Sequence, residues 1–207
     1  MHEINNPLDA AGNLAYLIDE EAENPAKVRQ YARLLAEQLA TVRQIATRTL
    51  TFYRKSSEMK PIDLILVAEA ALRVHQHKIS TNSLQVRKVF PEKAAINGHA
   101  GEMLQVLSNL VGNALDALPI GGSLALSIRK AGQEIHIMVA DNGHGIPESI
   151  LSQIFEPFFT TKQDLGTGLG LAISKSIVEG HHGRLKTRSS IRQGRSGTAF
   201  RISLPAC

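Results

Sequence analysis

Residues 123–140 read SLALSIRKAGQEIHIMVA, two runs in which apolar and polar side chains alternate. Alternation with a period of two is typical of half-buried strands, and the triplet Ala131-Gly132-Gln133 between the runs predicts a hairpin turn. The same pattern predicts a strand over residues 84–89 and a second hairpin from residues 183–189 and 198–204. This part of the chain is therefore predicted to form a sheet of mostly antiparallel strands.

Helices are predicted where apolar residues recur three and four positions apart. In the same part of the chain this spacing occurs in residues 64–74, 102–118 and 169–179. Helices mixed with mostly antiparallel strands favour an α+β fold. We expect an α/β sandwich in which one sheet is backed by helices on one face.

The beginning of the chain has a different pattern, with two helices and no strand. Apolar spacing predicts a helix through residues 8–18 and another that starts at Pro25, with Asn24 as its N-cap. The second helix carries a seam of coiled-coil spacing at Val28, Tyr31, Leu35, Gln38, Val42, Ile45, Thr49 and Phe52. Two such helices form an antiparallel hairpin that rarely buries its apolar face alone. We therefore expect a homodimer in which two hairpins make a four-helix bundle.

A polar stretch that ends in proline, residues 54–61, separates the two patterns and is the predicted linker. The expected domains are a helical hairpin over residues 1–56 and a sandwich domain over residues 61–207. The sequence contains no internal repeat and no low-complexity segment.

Charge and composition argue against a nucleic-acid or membrane partner. The 207 residues carry 23 Lys and Arg against 19 Asp and Glu, and residues 184–207 hold six bases and no acid. A surplus confined to one predicted hairpin is typical of a solvated strand face, so no nucleic-acid partner is expected. No apolar run reaches the ~18 residues of a membrane span, and a single cysteine, Cys207, excludes an internal disulfide. We expect a cytoplasmic location and no membrane contact by this segment.

Three clusters have residue types that suit a nucleotide. Gly166-Thr167-Gly168-Leu169-Gly170 precedes a predicted helix whose first N–H groups favour phosphate, although a plain helix cap would use the same glycines. Asp141-Asn142-Gly143-His144-Gly145 follows a predicted strand. There an acid can accept a hydrogen bond from an exocyclic amine, or the residues simply form a turn. Asn109 and Asn113, four apart on one helix face, offer amide oxygens to Mg²⁺.

In their order and spacing, these clusters resemble the boxes of the nucleotide-binding domain (the Bergerat fold) shared by sensor histidine kinases, gyrase, the MutL mismatch-repair proteins and the ninety-kilodalton heat-shock chaperone. The resemblance covers residues 61–207 and depends on five motifs together. These are the N-box at 109–116, the first glycine box at 141–145, the F-box of the ATP lid at 154–162, the second glycine box at 166–170 and a last Gly/Thr motif at 194–200.

The resemblance implies ATP and Mg²⁺ as cofactors and assigns roles to particular residues. Asp141 would accept a hydrogen bond from the adenine amine, helped through water by Thr198. The other implied contacts are Gly143 and Gly145 for the base and ribose, Asn109 and Asn113 for Mg²⁺, Lys162, Gly166, Gly168 and Gly170 for the phosphates, and Phe155, Phe158 and Phe159 as lid anchors.

The start of the chain, Met1-His2-Glu3-Ile4-Asn5-Asn6-Pro7-Leu8, resembles the phosphoacceptor box of histidine kinases. A neutral imidazole is a nucleophile near pH 7. The resemblance implies that His2 accepts the γ-phosphoryl group while Glu3 takes its proton. Asn6, one helical turn further on, would orient water to dephosphorylate the partner aspartate. The implied activity is ATP-dependent autophosphorylation of His2, followed by transfer to an aspartate of a response-regulator receiver domain.

Two alternative functions remain open, a gyrase-type ATPase and a pseudokinase or phosphotransferase scaffold. The ATPases carry Glu where this chain has Asn109, so a general base for hydrolysis is not evident. Asp116 stands where many of the kinases carry Lys or Arg near the phosphates, which puts a direct basic contact from this helix in doubt. In the family the first bundle helix begins well before the phosphoacceptor. Because His2 is the second residue, we expect a truncated first helix, and a membrane anchor upstream of Met1 stays open.

Two pairs of the other histidines are expected to be structural. His75 and His77 lie two apart on a predicted helix and point apart, which disfavours a shared metal. His181 and His182 stand at a predicted helix end, where histidine suits the helix dipole. We expect a cap or a surface position for this pair.

Overall fold

The structure is a computed structural model that describes the backbone of residues 2–52, 58–161 and 168–207. Side chains are described for residue 7 and for residues 9–40, 58–161 and 168–207. The chain forms two compact units, Met1–Ser57 and Glu58–Cys207. In the described ranges, no helix combines the length and the apolar character needed to cross a bilayer.

The first unit is a pair of helices, α1 (His2–Glu20) and α2 (Pro25–Phe52), which pack against each other. Asn24 caps α2 as predicted, because its Oδ1 accepts a hydrogen bond from Lys27 N at 3.3 Å. Among the side chains of α2 that the structure describes, residues 25–40, the half-buried ones are the first four of the predicted seam, Val28, Tyr31, Leu35 and Gln38. Other large apolar side chains, such as Tyr16 on α1, remain exposed.

The second unit is built from strands and helices that alternate irregularly along the chain. Its strands are β1 (Lys60–Asp63), β2 (Gln85–Val89), β3 (Ala95–Gly98), β4 (Ser123–Ala131), β5 (Glu134–Asp141), β6 (Arg184–Ser190) and β7 (Gly197–Pro205). Its helices are α3 (Leu64–Val74), α4 (Gln76–Thr81), α5 (Ala100–Ala117), α6 (Glu148–Leu151) and α7 (Gly170–Gly180). Five strands form one sheet in the order β2-β4-β5-β7-β6, and β1 pairs with β3 in a separate antiparallel sheet.

The core lies between one face of the five-stranded sheet and the helices. In the central parts of β4, β5 and β7 buried residues recur at every second position, as in the series Leu124, Leu126 and Ile128. Helix α5 contributes seven buried side chains and contacts α3, α7 and β5, so it is the central helix of this layer. The predicted fold class, a helical hairpin followed by an α/β sandwich, is confirmed.

Several local features differ from the prediction. The short elements β1, β3, α4 and α6 were not predicted, because four to six residues are too few to establish a period. β1 begins at Lys60, so Pro61 belongs to a strand and not to the linker. Proline is tolerated there because both strands of a two-stranded sheet are edge strands. β2 pairs with β4 in parallel, and the alternation of a single strand does not reveal the direction of its partner.

Candidate nucleotide site

Asp141, the last residue of β5, is half-buried, and two backbone N–H groups hold its carboxylate. Oδ1 accepts hydrogen bonds from Gly143 N at 2.9 Å and from Thr198 N at 3.3 Å. Both bonds use the same oxygen, so Oδ2 can accept a hydrogen bond from a ligand. Burial raises the pKa of Asp141 above its ordinary value, while the two backbone hydrogen bonds and the nearby His144 oppose this shift.

Thr198 is buried on β7, and a residue that the sequence analysis missed holds its hydroxyl. Ser189 Oγ lies 2.8 Å from Thr198 Oγ1 and donates to Gly197 O at 2.9 Å. Because Ser189 has one hydroxyl proton, the Thr198 hydroxyl is the donor of the bond between them. Ser189 Oγ also accepts from Ile146 N at 2.7 Å. A serine at an inward position of β6 is the sequence signal that could have identified this residue.

The glycines of the first glycine box are required by the fold itself. A Cβ on Gly143 would lie 2.4 Å from Ala117 O, and one on Gly145 would lie 2.0 Å from Ser190 O. Gly145 also has a φ of +78°, which other residues rarely adopt. These glycines let the loop after β5 meet α5 and β6 at backbone distance. The approach of a base and ribose to them stays a prediction.

The two asparagines lie on α5 at the same cavity. Asn109, Asn113 and Ala117 follow one another at intervals of four, so the amides and the first glycine box lie along one face of the helix. Asn109 Nδ2 donates to Ser174 Oγ of α7 at 2.9 Å. The cavity, of about 440 Å³, is lined by His75, Gln105, Ser108, Asn109, Gly112, Asn113, Asp116, Gly170 and Ile173. Such a volume is within the range of small-molecule sites.

The residues at this cavity fit a metal that arrives with its ligand. Among the described residues, no group of three or more His, Cys, Asp or Glu could hold a metal ion. Amide oxygens are hard ligands that suit Mg²⁺, which takes few protein ligands and is usually completed by water and phosphate oxygens. The amide oxygens of Asn109 and Asn113 therefore fit Mg²⁺ that binds together with a nucleotide.

Helix α7 begins at Gly170, which borders the same cavity. The N-cap residue, Leu169, provides no side-chain cap, so the first N–H groups of α7 can serve a phosphate. A Cβ on Gly170 would lie 2.3 Å from Asn109 Oδ1, so a larger residue there would displace the Asn109 amide. Gly168 has a φ of +65°, and its carbonyl accepts from Phe158 N at 3.0 Å.

Five predicted site residues fall wholly or partly outside the described structure. Lys162 and Gly166 lie in residues 162–167, which are outside the described residues. His2, Glu3 and Asn6 lie on α1, but their side chains are not among those that the structure describes. These five assignments stay predictions.

Two of the three phenylalanines assigned to the lid pack against the core. Phe155 and Phe159 are partly buried there, and Lys175 Nζ lies 5.7 Å from the centre of the Phe155 ring. The third, Phe158, is 40% exposed, and its assignment as a lid anchor stays a prediction. Its positive φ of 67° and its backbone bond to Gly168 place it in a turn.

His181 is the C-cap of α7, as predicted, but it is buried and not at the surface. Its Nε2 accepts from His99 N at 3.0 Å, so Nδ1 carries the proton and donates to Ile177 O at 2.9 Å. The neutral ring thus connects the end of α7 to the start of α5. His75, in turn, lies at the cavity, where its Nε2 is 2.9 Å from Ser108 O.

Asp116 on α5 has a basic partner from a different helix. Lys78 Nζ of α4 forms a hydrogen-bonded ion pair with Asp116 Oδ1. Asp116 lines the same cavity as Asn109, Asn113 and Gly170. The base that α5 lacks at this position is therefore present on α4.

The fold and this site define a class of protein, a nucleotide-binding α/β sandwich, and comparison with known proteins narrows the class. The model of the family described as histidine kinase-, DNA gyrase B-, and HSP90-like ATPase matches residues 98–207. This match covers more than half of the 207 residues. The chain belongs to this family, and its second unit contains an ATP-binding domain.

Relatives with curated names are similar along almost the entire chain. Sporulation kinase A of Bacillus subtilis (strain 168) is 30% identical over 207 residues, which cover 99% of this chain and 33% of the relative. Sensor histidine kinase ZraS of Escherichia coli (strain K12) is 31% identical over 209 residues, which cover 99% of this chain and 43% of the relative. The chain thus spans between a third and a half of the length of these relatives.

A solved structure gives the same family. The mycobacterial sensor histidine kinase MprB is similar with a TM-score of 0.64 and 27% identity, over 72% of this chain and 97% of that chain. The resemblance to sensor histidine kinases is therefore confirmed by the family model, by curated relatives and by structure.

Proposed function

We propose that this chain is the core of a two-component sensor histidine kinase. It binds ATP with Mg²⁺ at the cavity on α5, phosphorylates His2 and passes the phosphoryl group to an aspartate of a response-regulator receiver domain. The observation that carries the proposal is the fixed carboxylate of Asp141 beside an α5 face that presents Asn109 and Asn113 to a cavity.

Phosphoryl transfer of this kind depends mainly on positioning and on charge stabilisation. Asp141 would orient the base through Oδ2, and the N-terminus of α7 would accept the phosphates. Mg²⁺, when bound to Asn109 and Asn113, would neutralise part of the phosphate charge. A ring nitrogen of His2 would form the bond to the γ-phosphorus, the P–O bond to ADP would break, and Glu3 would take the ring proton.

The geometry of Asn109 favours a kinase over a hydrolytic ATPase. An amide is not a general base, and Asn109 Nδ2 already donates to the buried hydroxyl of Ser174. With no carboxylate at this position, activation of water would need another group. Among the described residues that line the cavity, the one carboxylate is Asp116, and it is paired with Lys78.

The helical first unit supports the proposed division of the chain into two domains. We assign residues 1–56 to a dimerisation and phosphotransfer hairpin and residues 61–207 to the catalytic domain. Exposed apolar side chains such as Tyr16 and Leu39 offer surface for pairing with a second hairpin. Asn6 would support dephosphorylation of the receiver aspartate, and the segment would act in the cytoplasm.

The direct test is incubation with ATP labelled at the γ-phosphate. Wild type should become labelled on a group that is labile in acid and stable in alkali, as expected of phosphohistidine, and His2→Gln should not. His77→Gln, which changes an exposed histidine on α4, is the matched control and should label like wild type.

The same assay separates the alternatives. Equal labelling of wild type and His2→Gln would overturn the assignment of His2. Phosphate release that persists in His2→Gln without labelled protein would favour a gyrase-type ATPase. Absence of both MgATP binding and labelling would favour a scaffold without nucleotide chemistry.

A further inference from the structure

The face of the five-stranded sheet that points away from the helices is strongly basic. We call it the outward face, and its residues alternate along each strand with those that pack in the core. The Lys and Arg residues on the outward face are Arg87, Arg129, Arg184, Lys186, Arg188 and Arg201. These bases exceed the one acid of this face, Glu134, by five charges, whereas the whole chain has a net charge of +4.

The strand register collects these bases from four strands and places them around small side chains. One row across β2, β4, β5, β7 and β6 consists of Arg87, Ala125, Ala140, Ala199 and Arg188. The next row consists of Val89, Ser127, Met138, Arg201 and Lys186. Because β2 and β4 contribute Arg87 and Arg129, the basic surface extends well beyond the terminal hairpin that holds the charge surplus in sequence.

Five of the six bases are exposed and have no carboxylate partner within the ranges that the structure describes. We call these five the rim, which consists of Arg87, Arg129, Lys186, Arg188 and Arg201. Arg184 differs from them, since its Nη2 donates to Glu134 Oε1 at 2.6 Å. Like charges on one surface repel each other, so the rim favours a partner that brings several carboxylates.

The rim lies on both sides of β5, the central strand of the sheet. Arg87 and Arg129 are on one side, and the other three bases are on the opposite side. On the outward face β5 itself carries Ala140 and Met138, and Met138 is 40% exposed. Because alanine is short and arginine is long, β5 forms the bottom of a recess between two groups of cations.

The recess has the dimensions of one helix. Neighbouring strands are about 4.8 Å apart, so β4, β5 and β7 together span roughly 10 Å, close to the diameter of a helix. β4 and β7 have nine residues each, and such strands are about 30 Å long, which equals the length of roughly 20 helical residues. A strand would add at a sheet edge, whereas a helix packs on a sheet face.

We propose that the outward face is a docking surface for an acidic helix of a partner protein. The helix lies along β5, with small apolar side chains on Ala140 and Met138 and with Asp or Glu on both flanks towards the rim. The core separates this surface from α5 and α7, which carry the groups assigned to the nucleotide. The inference therefore adds an interaction to the proposed function and does not depend on ATP binding.

The composition of the outward face favours a helix over the other polyanions that a basic surface attracts. None of its residues on the five strands is Phe, Tyr or Trp, the side chains on which the bases of a single-stranded nucleic acid stack. A duplex is recognised by an element that enters a groove, and a recessed sheet face does not enter one. Contact with a bilayer would use large apolar side chains for insertion, and Met138 is surrounded by Ala, Ser and bases.

The test uses the full chain and a synthetic helical peptide of about 20 residues, the length of the recess. The peptide has Ala on one face and Glu on both flanks, and its matched control has Gln in place of every Glu. Fluorescence anisotropy should show binding of the Glu peptide and no binding of the Gln peptide. Binding should weaken as the salt concentration rises, because exposed charges are screened.

A triple variant removes part of the rim. Arg87→Gln, Arg188→Gln and Arg201→Gln together should weaken the Glu peptide by about 3- to 150-fold, the range for three exposed ion pairs. The matched control is Lys60→Gln, Arg73→Gln and Lys93→Gln, which removes three exposed bases that are not on the outward face. The control should bind the peptide like wild type.

Ala125→Tyr separates docking in the recess from general attraction of anions. It fills the row between Arg87 and Ala140 without a change of charge, so it should weaken the peptide and leave the binding of duplex DNA and of phosphatidylserine vesicles as in wild type. Thermal unfolding reports whether each variant is folded. If Ala125→Tyr melts at a lower temperature than wild type, Ala140→Gln provides the same test on β5.

Weaker peptide binding in both the triple variant and the recess variant, with an unchanged control, supports the proposal. Absence of binding to the Glu peptide, or equal binding by wild type and the triple variant, would overturn it. Peptide binding that a filled recess does not weaken would also overturn it, because the rim would then be an unspecific basic surface. Tighter binding of DNA or of the vesicles than of the peptide would assign the surface to that class of partner instead.

Discussion

Replacing Asp141 with Asn should change the base preference of the site without unfolding the domain. In wild type, Oδ1 accepts from Gly143 N at 2.9 Å and from Thr198 N at 3.3 Å, and Oδ2 is left for the ligand. Asn keeps one oxygen that can accept both backbone bonds, so its NH₂ group takes the position of Oδ2. The group that accepts a hydrogen bond from the adenine amine thus becomes a donor.

The size of the effect follows from the bond that is lost. A hydrogen bond to a charged group contributes about 1.5–3 kcal/mol, so MgATP affinity should fall roughly 10- to 150-fold. Inosine triphosphate carries a carbonyl oxygen in place of the amine, and the new NH₂ group can donate to it. Its affinity for Asp141→Asn should therefore exceed that of ATP.

The thermal stability of Asp141→Asn should be equal to or higher than that of wild type, although its MgATP affinity is lower. Burial raises the pKa of Asp141, which means that its ionised form is disfavoured in the folded protein. A neutral Asn removes this unfavourable term, so the melting temperature at pH 7 should be equal to or above that of wild type. Glu92→Gln removes the same charge from an exposed position and serves as the control.

Calorimetric titration with the magnesium complexes of both nucleotides tests the reasoning. The expected result is a reversed preference in Asp141→Asn and an unchanged one in Glu92→Gln. If Asp141→Asn binds MgATP within threefold of wild type and keeps the preference for ATP, the assignment of Oδ2 to the base is wrong.

Three further predictions concern pH, the second glycine box and a buried histidine. Because the pKa of Asp141 is raised, its carboxylate should become protonated at a pH above the ordinary Asp range, and MgATP affinity should begin to fall there. Protonation removes the buried charge, so it should not destabilise the fold through Asp141. If the MgATP affinity of wild type does not change until the pH reaches the ordinary Asp range, the prediction is contradicted. Gly170→Ala places a Cβ 2.3 Å from Asn109 Oδ1 and should cost about 1–3 kcal/mol of unfolding free energy and weaken MgATP binding, whereas Gly101→Ala, with nothing within 4 Å, should do neither in urea unfolding and titration. His181→Phe leaves a backbone N–H without its acceptor and should cost about 1–3 kcal/mol in the same unfolding assay, with MgATP affinity within twofold of wild type.

Much of the fold could be predicted because its signals are local. The alternation in residues 123–140 and the helical spacing in residues 102–118 reflect burial on one face, which is visible in any short window. Contacts between distant segments have no such signal. Ser189 bonds to Ile146 across 43 positions and Lys78 to Asp116 across 38, so neither partner could be identified from its neighbours.

The difference between local patterns and contacts of distant segments also changes how the glycine motifs should be interpreted. A Cβ on Gly143 would lie 2.4 Å from Ala117 O, and one on Gly197 would lie 2.1 Å from Asp141 O. These are contacts between backbone segments, so the fold requires glycine at both positions even without a nucleotide. Loss of ATP binding in a glycine variant therefore reports on packing as well as on ligand contact. Side chains such as Asn113, whose substitution leaves these backbone approaches intact, give the cleaner test of which atoms touch ATP.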